Sequence, residues 1–490
     1  MQSLSHSLPA LGHHFGMFCP AEVANSFQYL LYQQDNETGR IYEFGDAHDD
    51  LIPSSMSNFA SVLNVRKDPH LLWLYRQRPG NNYLDLLFPA PVGGGTPPQS
   101  LPLVKRLHDV GSVIFRSGFS HDDFVFIFKC GPFFNHQHFD QGSFFLADRG
   151  ELFIDECGNS NYYEDPWYPR LYIQAGGHNC PLVEDNVESQ TAGDFRHDVA
   201  AWKDHARITS FLDWHDGAFL SADLTPVYRG KWKSLQRNVL HLRPRTVLIL
   251  DRAEGPAGVD EMSLRFHAPR KDDIRVDGKT AQIVRAGKTL HLRTLLPERY
   301  QARVLKRPMS INEFKAENSI TMTARGFLEL AADARNAGVT FVNVLSTDAE
   351  MMAELKASKG PGYLEVSLGT DKYWIGEIEG GLYQMEDVES DALVLSRTAG
   401  GFLALRATIL REKGNPILKA GELLDCVLSR ESRKIGLEFS GSPGTEVEVF
   451  TGWKPKAVRL AENAVKNWQF KDGLVLLRLP AAEGKVTIER

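Results

Sequence analysis

The chain has few cysteines and lacks long apolar runs. Its five cysteines among 490 residues are odd in number and widely spaced, which argues against a disulfide framework, and none forms a Cys-x-x-Cys pair. The apolar runs fall far short of the roughly 18 residues that cross a bilayer. We therefore expect a globular protein with no membrane segment, in which most cysteines pack as small apolar side chains.

The chain also has no excess of positive charge. The formal net charge is -7 and no block of like charge forms a tail, so nothing draws the chain toward nucleic acid or an anionic membrane. An anionic glycan would have to be held by a local basic pocket. The first residues show no basic region followed by an apolar stretch, so no secretion signal is visible.

Helical patterns come first along the chain. Residues 21–33 and 71–78 space their apolar side chains three and four apart, as amphipathic helices do. The segment 88–102 then combines Pro, Gly and Ser densely enough to end regular structure. This composition predicts a domain boundary near residue 100.

Short strands dominate from Gly111 onward. They are rich in β-branched and aromatic residues and are separated by turn formers, and a second boundary is indicated near residue 360. We predict a mainly β fold with a large antiparallel β-sandwich. The predicted domains are residues 1–100, which are helical, residues 101–358, which form the sandwich, and residues 359–490, which form a small β domain.

Three histidines and an aspartate lie close together in the sequence. His136 and His138 are two residues apart, so on an extended segment both face the same side. Asp155 follows 17 residues after His138, a separation that a hairpin returning to the same sheet end can close. His178 opens another apolar strand. Two imidazoles and a carboxylate form a common zinc ligand set, which leaves one histidine for proton transfer.

Other interpretations of these residues stay open at this point. Histidines are common in turns at strand ends, and an Asp before a glycine-containing loop is ordinary turn chemistry. Cys157 and Cys180 lie nearby, but isolated cysteines are more often packed in a core than bound to metal.

The run NHQHFDQGSFFLADRGELFIDECG, followed by HNCPLV, resembles the signature of the heparinase II/III-like polysaccharide lyases. The later segment SADLTPVYRGKWKSLQRNVLHLRPRTVLILDRAE is similar to that family's strand pair ending in Asp-Arg, and the early helices resemble the end of its α/α toroid. The resemblance extends from about Phe15 to about Ser346. It implies a supersandwich-like fold preceded by a few helices from an incomplete toroid.

The resemblance assigns roles to these residues. His136 matches a histidine that lines the catalytic cleft, where it neutralises the substrate carboxylate or assists proton transfer. His138, Asp155 and His178 match positions that hold one zinc ion, mainly structural, in relatives that bind metal. The family's His-Asn-Thr here ends in Cys180, which we do not treat as a ligand.

An aromatic cluster lies between Asp155 and His178. It comprises Tyr162, Tyr163, Trp167, Tyr168 and Tyr172, with Arg170 among them. Aromatic faces and an arginine suit a charged sugar, so Tyr168, Tyr172 and Arg170 are candidate substrate contacts, although the same residues also fit an ordinary packed loop. The acidic turn with Asp46, His48 and Asp49 is either a further part of the cleft or a solvated loop.

The resemblance implies a lyase that cleaves beside a uronic acid by β-elimination. Only about 100 residues precede the sandwich, fewer than a toroid needs, so we expect a truncated or split form. The family's principal Tyr, Asn and His come largely from the toroid. The alternatives are a non-catalytic carbohydrate-binding protein and, less favoured, a zinc hydrolase.

The resemblance also implies a partner and a location. The partner is an acidic polysaccharide, and the location is periplasmic or secreted, or cytoplasmic if no leader precedes the chain. Two assemblies stay open, a homodimer and a complex with a chain that carries the toroid. The sequence does not identify the uronate polymer or the position of cleavage along it.

Overall fold

The computed structural model describes most of the chain from residue 28 onward. The described residues are 28–42, 44–46, 63, 68–77, 79–80, 83, 86, 93–108, 110–133, 138–157, 167–191, 205–255, 258–306, 325–335, 338–398, 400–479 and 481–490. Within these ranges, no helix has both the length and the apolar character needed to cross a membrane.

Short helices precede the first sheet. The α-helices whose bounds lie within the described ranges are α1 (Tyr29–Tyr32), α2 (Pro69–Gln77) and, much later, α3 (Ala349–Glu354). Asp68 begins α2, because its carboxylate accepts the backbone N–H groups of His70 and Leu71 at 2.9 and 3.0 Å. The helix predicted over residues 71–78 is thus found at Pro69–Gln77. Most of the helix predicted over residues 21–33 lies outside the described residues.

A five-stranded antiparallel sheet follows, with its strands in chain order. They are β1 (Val104–Leu107), β2 (Ser112–Arg116), β3 (Val125–Lys129), β4 (Phe144–Asp148) and β5 (Glu151–Ile154). Alternate residues face opposite sides. On β3, Phe126 and Phe128 pack into the sandwich core, whereas Ile127 packs with Leu30 and Leu71 from the helices. Both faces are thus buried, which explains why these strands are apolar throughout.

An eight-stranded sheet and a four-stranded sheet complete the sandwich. The eight-stranded sheet has the order β12-β13-β14-β17-β10-β9-β8-β7, and the four-stranded sheet has the order β15-β16-β11-β6. Their bounds are β6 (Pro181–Val183), β7 (Arg207–Trp214), β8 (Gly217–Asp223), β9 (Ser234–Leu242), β10 (Thr246–Glu254), β11 (Glu261–Ala268), β12 (Ile274–Asp277), β13 (Thr280–Arg285), β14 (Lys288–Leu296), β15 (Gln301–Lys306), β16 (Gly326–Asp333) and β17 (Val339–Ser346).

A 15-stranded sheet forms the C-terminal part. Its strands are β18 (Lys356–Gly360), β19 (Tyr363–Leu368), β20 (Asp371–Gly376), β21 (Tyr383–Met385), β22 (Val388–Ser390), β23 (Val394–Thr398), β24 (Gly401–Glu412), β25 (Asn415–Glu431), β26 (Lys434–Gly441), β27 (Glu446–Phe450), β28 (Ala457–Leu460), β29 (Asn463–Ala464), β30 (Trp468–Lys471), β31 (Leu474–Arg478) and β32 (Glu483–Glu489). Leu248 and Val342 of the eight-stranded sheet share one apolar cluster with Val366 and Ile375, so this sheet packs against the sandwich.

The predicted fold class is confirmed, since the described residues form a mainly β, antiparallel architecture with few helices before it. The predicted boundary between residues 358 and 359 falls inside β18 (Lys356–Gly360). The division into three domains stays a prediction.

Candidate functional site

One end of the five-stranded sheet carries the candidate site. Because the strands are antiparallel, the residues that meet there are Leu107, Ser112, Lys129, Phe144 and Ile154, at the ends or starts of β1 to β5. We call this end the rim. The loop after β3 and the segment after β5 both leave from it, so residues far apart in the sequence meet at one place.

His138 and His178 lie side by side behind the rim. Their ring centroids are 5.2 Å apart, and both side chains are buried, with 1% and 0% of their surface exposed. His136, the predicted cleft histidine, lies outside the described residues. The structure thus brings together two of the three predicted metal ligands.

The hydrogen-bond partners of the two histidines fix their tautomers. Nε2 of His178 is 3.0 Å from the carbonyl oxygen of Tyr172, and a carbonyl only accepts, so Nε2 carries the proton. Nε2 of His138 is 3.0 Å from a carboxylate oxygen of Asp46, which also accepts. Burial lowers the pKa of His138, which favours the neutral ring. Nδ1 is therefore the unprotonated nitrogen of the neutral His138 ring, and of the His178 ring in its neutral form.

Carboxylates approach these nitrogens. Nδ1 of His178 lies 2.9 Å from Oε1 of Glu156, and the candidate ligand atoms of Asp140, Glu156 and His178 all lie within 4.8 Å of one another. Nδ1 of His138 is buried with no hydrogen-bond partner among the described residues. Asp140 itself pairs with the buried Lys129 at 2.7 Å.

Asp155, the predicted carboxylate ligand, has a different contact. Its Oδ1 accepts the backbone N–H of Glu156 at 2.8 Å, and it is not part of the Asp140, Glu156 and His178 group. Consecutive side chains on an extended segment point to opposite sides, so the neighbour Glu156 reaches the histidine instead. Asp140 and Glu156 were not assigned a role from the sequence, although both lie within the quoted motif.

Burial has the largest effect on the pKa of Glu156 and raises it to about 7. The hydrogen bond from Ser143 and the nearby His138 and Lys129 lower this pKa by smaller amounts. The Ser143 hydroxyl donates to Oε1 of Glu156 at 2.7 Å. At neutral pH this carboxyl group is thus balanced between its protonated and ionised forms.

The predicted aromatic contacts lie on a π-helical turn, Tyr168–Tyr172. Tyr168 is buried and its hydroxyl donates to Oδ2 of Asp46 at 2.9 Å. Tyr172 is fully buried, and its carbonyl oxygen accepts the Nε2–H of His178. Arg170 is exposed. The two tyrosines therefore form part of the wall around the histidines, and Arg170 lies at the surface of the same turn. Tyr162 and Tyr163 lie outside the described residues.

Asp46 joins the segment before the sandwich to this wall. One carboxylate oxygen meets His138 and the other meets Tyr168. It was predicted only as a possible cleft residue or a solvated turn, and its side chain is 15% exposed. His48 and Asp49 lie outside the described residues.

A buried arginine fixes the loops behind the site. Arg237 forms a bidentate pair with Asp251 at 2.5 and 3.0 Å and donates to the carbonyls of Gly142 and Asn179, both at 2.6 Å. These two carbonyls lie on the segments that carry Asp140 and His178. Because the two charges are paired and hydrogen-bonded, part of the cost of burying them is offset.

The next residues also brace the histidine segment. The Asn179 side-chain amide donates to the carbonyls of Phe144 and Asp155 at 2.8 and 2.6 Å. The Cys180 thiol donates to the carbonyl of Gln141 at 3.3 Å, and burial raises its pKa well above the ordinary value.

The donor set fits a divalent metal ion such as zinc. Ligand atoms of His178, Glu156 and Asp140 converge in a buried place, and the ring of His138 lies 5.2 Å from that of His178. Each histidine Nε2 is held by an oxygen acceptor, which is the usual support for a histidine that binds metal. Nδ1 of His138 has no hydrogen-bond partner in the part of the chain that the structure describes, and this observation favours an additional occupant.

The residues around this site match a known family model. The model described as "Heparinase II/III-like, C-terminal" matches residues 100–334. This range includes the rim, both histidines and the carboxylates around them. The resemblance to the heparinase II/III-like family that the sequence predicted is confirmed over these residues.

Solved structures with similar folds are polysaccharide lyases. The heparan sulfate lyase HepC from Pedobacter heparinus has 18% identity and a TM-score of 0.53, over 72% of this chain and 52% of that chain. The chondroitin AC lyase of Streptomyces coelicolor A3 has 11% identity and a TM-score of 0.50, over 95% and 65%. A Paenibacillus xanthan lyase has 10% identity and a TM-score of 0.52, over 100% and 50%.

These similarities concern the fold. The chain spans about half the length of the HepC structure that it matches, and none of these identities exceeds 18%. No curated protein sequence matches this chain.

Proposed function

We propose that the protein acts on a uronic-acid-containing polysaccharide as a lyase, by β-elimination. The observation that carries this proposal is the buried cluster of His138, His178 and Glu156 at the rim of a heparinase II/III-like sandwich. The similar solved structures named above are lyases of heparan sulfate, chondroitin and xanthan, which supports the reaction class without identifying the polymer.

The reaction requires three groups around the sugar. A base removes the C5 proton beside the carboxylate, the electron pair forms the C4–C5 double bond, and the C4–O bond breaks as an acid protonates the leaving oxygen. Donors must also neutralise the carboxylate as negative charge develops. By resemblance, His136 serves the carboxylate or the proton transfer, and Tyr, Asn and His groups of the toroid supply the rest.

The residues behind the rim hold this cleft in place. His138 and His178, with Glu156 or the predicted Asp155, would bind one zinc ion, whose role when bound is to fix the loops on which the cleft residues lie. Asp46 and Tyr172 orient the two imidazoles through their Nε2–H groups. Tyr168, Tyr172 and Arg170 stay candidates for substrate contact, and Arg170 is the most accessible of the three.

A spectroscopic assay tests the proposal. The full chain is incubated with alginate, heparin, heparan sulfate and chondroitin sulfate, and the ultraviolet absorbance of unsaturated uronates is followed. We expect an increase with at least one polymer, and a much slower one for His138→Ala. The control Arg275→Gln changes an exposed side chain on β12 and should leave the rate unchanged.

A non-catalytic carbohydrate-binding protein is the second candidate. The chain spans about half the length of HepC, and the resemblance places several catalytic groups in the toroid. Retained binding of an acidic oligosaccharide with sustained absence of new absorbance would support it. A toroid-bearing partner chain, a homodimer and a periplasmic or secreted location stay predictions.

A further inference from the structure

Arg265 of β11 lies behind the segment that leads into His178. Its side chain is 6% exposed, and each of its three nitrogen atoms donates to a different part of the chain. Nε reaches Oε2 of Glu329 at 3.3 Å, Nη2 reaches Oδ1 of Asp185 at 2.5 Å, and Nη1 reaches the carbonyl oxygen of Gly176 at 2.7 Å. One guanidinium group thus joins two carboxylates to the backbone just before a candidate metal ligand.

The carbonyl that Arg265 holds belongs to the 3₁₀ turn Ala175–Gly177, which we call the clamped turn. The N–H of His178 donates to the carbonyl of the first residue of this turn at 3.1 Å, and the carbonyl of its last residue accepts the N–H of Cys157 at 2.9 Å. Cys157 directly follows Glu156. The clamped turn therefore connects the segments that carry His178 and Glu156.

Close packing leaves the clamped turn little freedom to move by itself. A Cβ atom on Gly177 would lie 2.5 Å from Sγ of Cys157. One on Gly176 would lie 2.6 Å from Cγ1 of Val187. Glycine at both positions allows this approach of the backbone to its neighbours. A displacement of the turn is thus passed on to the adjoining segments, because there is no gap to absorb it.

A strained hairpin turn presents Asp185 to this guanidinium group. Val183 and Asn186 pair as an antiparallel bridge, and the two residues between them, Glu184 and Asp185, have φ values of 53° and 55°. This left-handed conformation is uncommon for residues other than glycine. Such strain persists where the surrounding structure holds the backbone in place, and the contact of Asp185 with Arg265 is one of the contacts that do so.

Glu329 of β16 fixes the guanidinium group from the other side. It is fully buried and also pairs with Arg303 of β15. Burial raises the pKa of Glu329, and Asp185 raises it further, whereas the two arginines lower it. The ring of Phe327 lies 4.4 Å from Cζ of Arg265. Because the donors of a guanidinium group have fixed directions in one plane, Glu329 and Asp185 together determine where Nη1 of Arg265 points.

We propose that Arg265 is a positioning residue for His178. Through the clamped turn it holds His178 at the spacing from Glu156, 2.9 Å between Nδ1 and Oε1, at which the two side chains share a proton or a metal ion. The hairpin turn at Asp185 and the buried Glu329 orient Arg265 for this task. The inference rests on the proposed function, because it takes an ion bound there to fix the loops of the cleft.

Imidazole ¹⁵N spectra of the metal-free full chain test this role without metal or turnover. Histidines are labelled with ¹⁵N, and His178→Ala identifies the signals of His178 by their loss. Arg265→Met and its matched control Arg303→Met each remove one guanidinium group from Glu329, but only the first releases the carbonyl of Gly176. We expect the His178 signals to shift in Arg265→Met and to keep their wild-type positions in Arg303→Met. Unchanged signals in Arg265→Met, or the same shift in both variants, would overturn the proposal.

Zinc affinity, measured by competition with a chromogenic chelator, gives a second readout. We expect about tenfold weaker binding for Arg265→Met, as for other residues that orient metal-bound histidines, and wild-type affinity for Arg303→Met. Equal affinity in the two variants would contradict the proposal. Melting temperatures check that Arg265→Met is folded. If it is not, Asp185→Asn replaces it, since asparagine tolerates the left-handed conformation, and unchanged His178 signals in that variant would overturn the proposal.

Failure of the positioning role and failure of the lyase proposal are distinguishable. A shift of the His178 signals confined to Arg265→Met, in a protein that releases no unsaturated product, would preserve the positioning role and remove the lyase reaction. Unsaturated product from wild type, with His178 signals that are the same in wild type, Arg265→Met and Arg303→Met, would do the reverse.

Discussion

Nδ1 of His178 lies 2.9 Å from Oε1 of Glu156, with both side chains buried. Since Nε2 of His178 faces the carbonyl of Tyr172, a neutral His178 presents a lone pair toward that oxygen. Two acceptors approach this closely only when a proton or a cation lies between them. The raised pKa of Glu156, about 7, is consistent with a shared proton that a metal ion displaces.

Metal content distinguishes the two candidate carboxylates. We expect wild type to retain about one zinc ion per chain after equilibration and desalting, and His138→Ala and His178→Ala to lose it. Glu156→Ala should lose the ion because its carboxylate contacts His178, whereas Asp155→Ala should keep most of it. His136→Ala should keep the metal as well.

Two outcomes would change this assignment. Zinc loss in Asp155→Ala and in the variants of His138 and His178, with retention in Glu156→Ala, would restore the ligand set predicted from the sequence and would require the Asp155 side chain to rotate. Equal retention in all five variants would remove the metal site.

Asp46 supports His138 from the opposite side of the ring. Asp46→Ala removes the acceptor of its Nε2–H, so we expect zinc affinity to fall by about 10- to 100-fold, as for other partners of metal-bound histidines. Competition with a chromogenic chelator measures this. The matched control is Tyr168→Phe, which removes only the hydrogen bond to the other oxygen of Asp46. An equal loss in both variants would show that Asp46 acts through general packing.

His241 makes the sandwich sensitive to acid. It is buried between Phe115 and Phe124, with both ring centroids at 5.4 Å, and burial, helped by Arg243, lowers its pKa from 6.5 to about 3. A histidine with a lowered folded-state pKa contributes stability that is present above the unfolded pKa and lost as pH falls toward the folded pKa. The loss between pH 6.5 and pH 3 is about 5 kcal/mol, at about 1.4 kcal/mol for each pH unit.

Urea unfolding at a series of pH values checks this prediction. We expect His241→Phe to show a smaller decrease in the free energy of unfolding between pH 6.5 and pH 3 than wild type does. Parallel pH profiles for the two proteins would assign the acid sensitivity to other groups.

Arg237 is expected to be the most sensitive ion-pair position in the sandwich. Arg237→Met leaves Asp251 buried without its partner and removes the donors to Gly142 and Asn179. Breaking a buried pair on one side costs about 3 to 5 kcal/mol, measurable by urea unfolding. Arg335→Met, at an exposed pair with Asp333, should change stability little. The double variant Arg237→Met/Asp251→Leu should recover part of the loss, and no recovery would contradict the explanation by an unpaired charge.

The fold was largely predictable from local pattern. Runs such as β3 (Val125–Lys129) and β10 (Thr246–Glu254) are rich in β-branched and aromatic residues and end at turn formers, which is what a buried strand requires. The order of strands within the eight-stranded sheet was not predictable, since β17 pairs with both β10 and β14. Such pairing depends on how whole faces pack rather than on any local sequence.

The site was predictable only in part. The grouping of His138 with His178 came from the family resemblance, because 40 residues separate them. Asp155 and Glu156 are adjacent carboxylates, and a sequence does not show which of them turns toward a histidine. Asp46 lies 92 residues before His138, and the loop around it carries no pattern that names its partner.

The most direct test of the proposed reaction is the mass of its products. The full chain, equilibrated with zinc, is incubated in water enriched in oxygen-18 with the acidic polysaccharide on which it is most active, and the oligosaccharides are analysed by mass spectrometry. Elimination predicts a new non-reducing end that has lost the elements of water and carries no oxygen-18. Products with saturated ends and one oxygen-18 atom from the cleavage step would show hydrolysis and contradict the account.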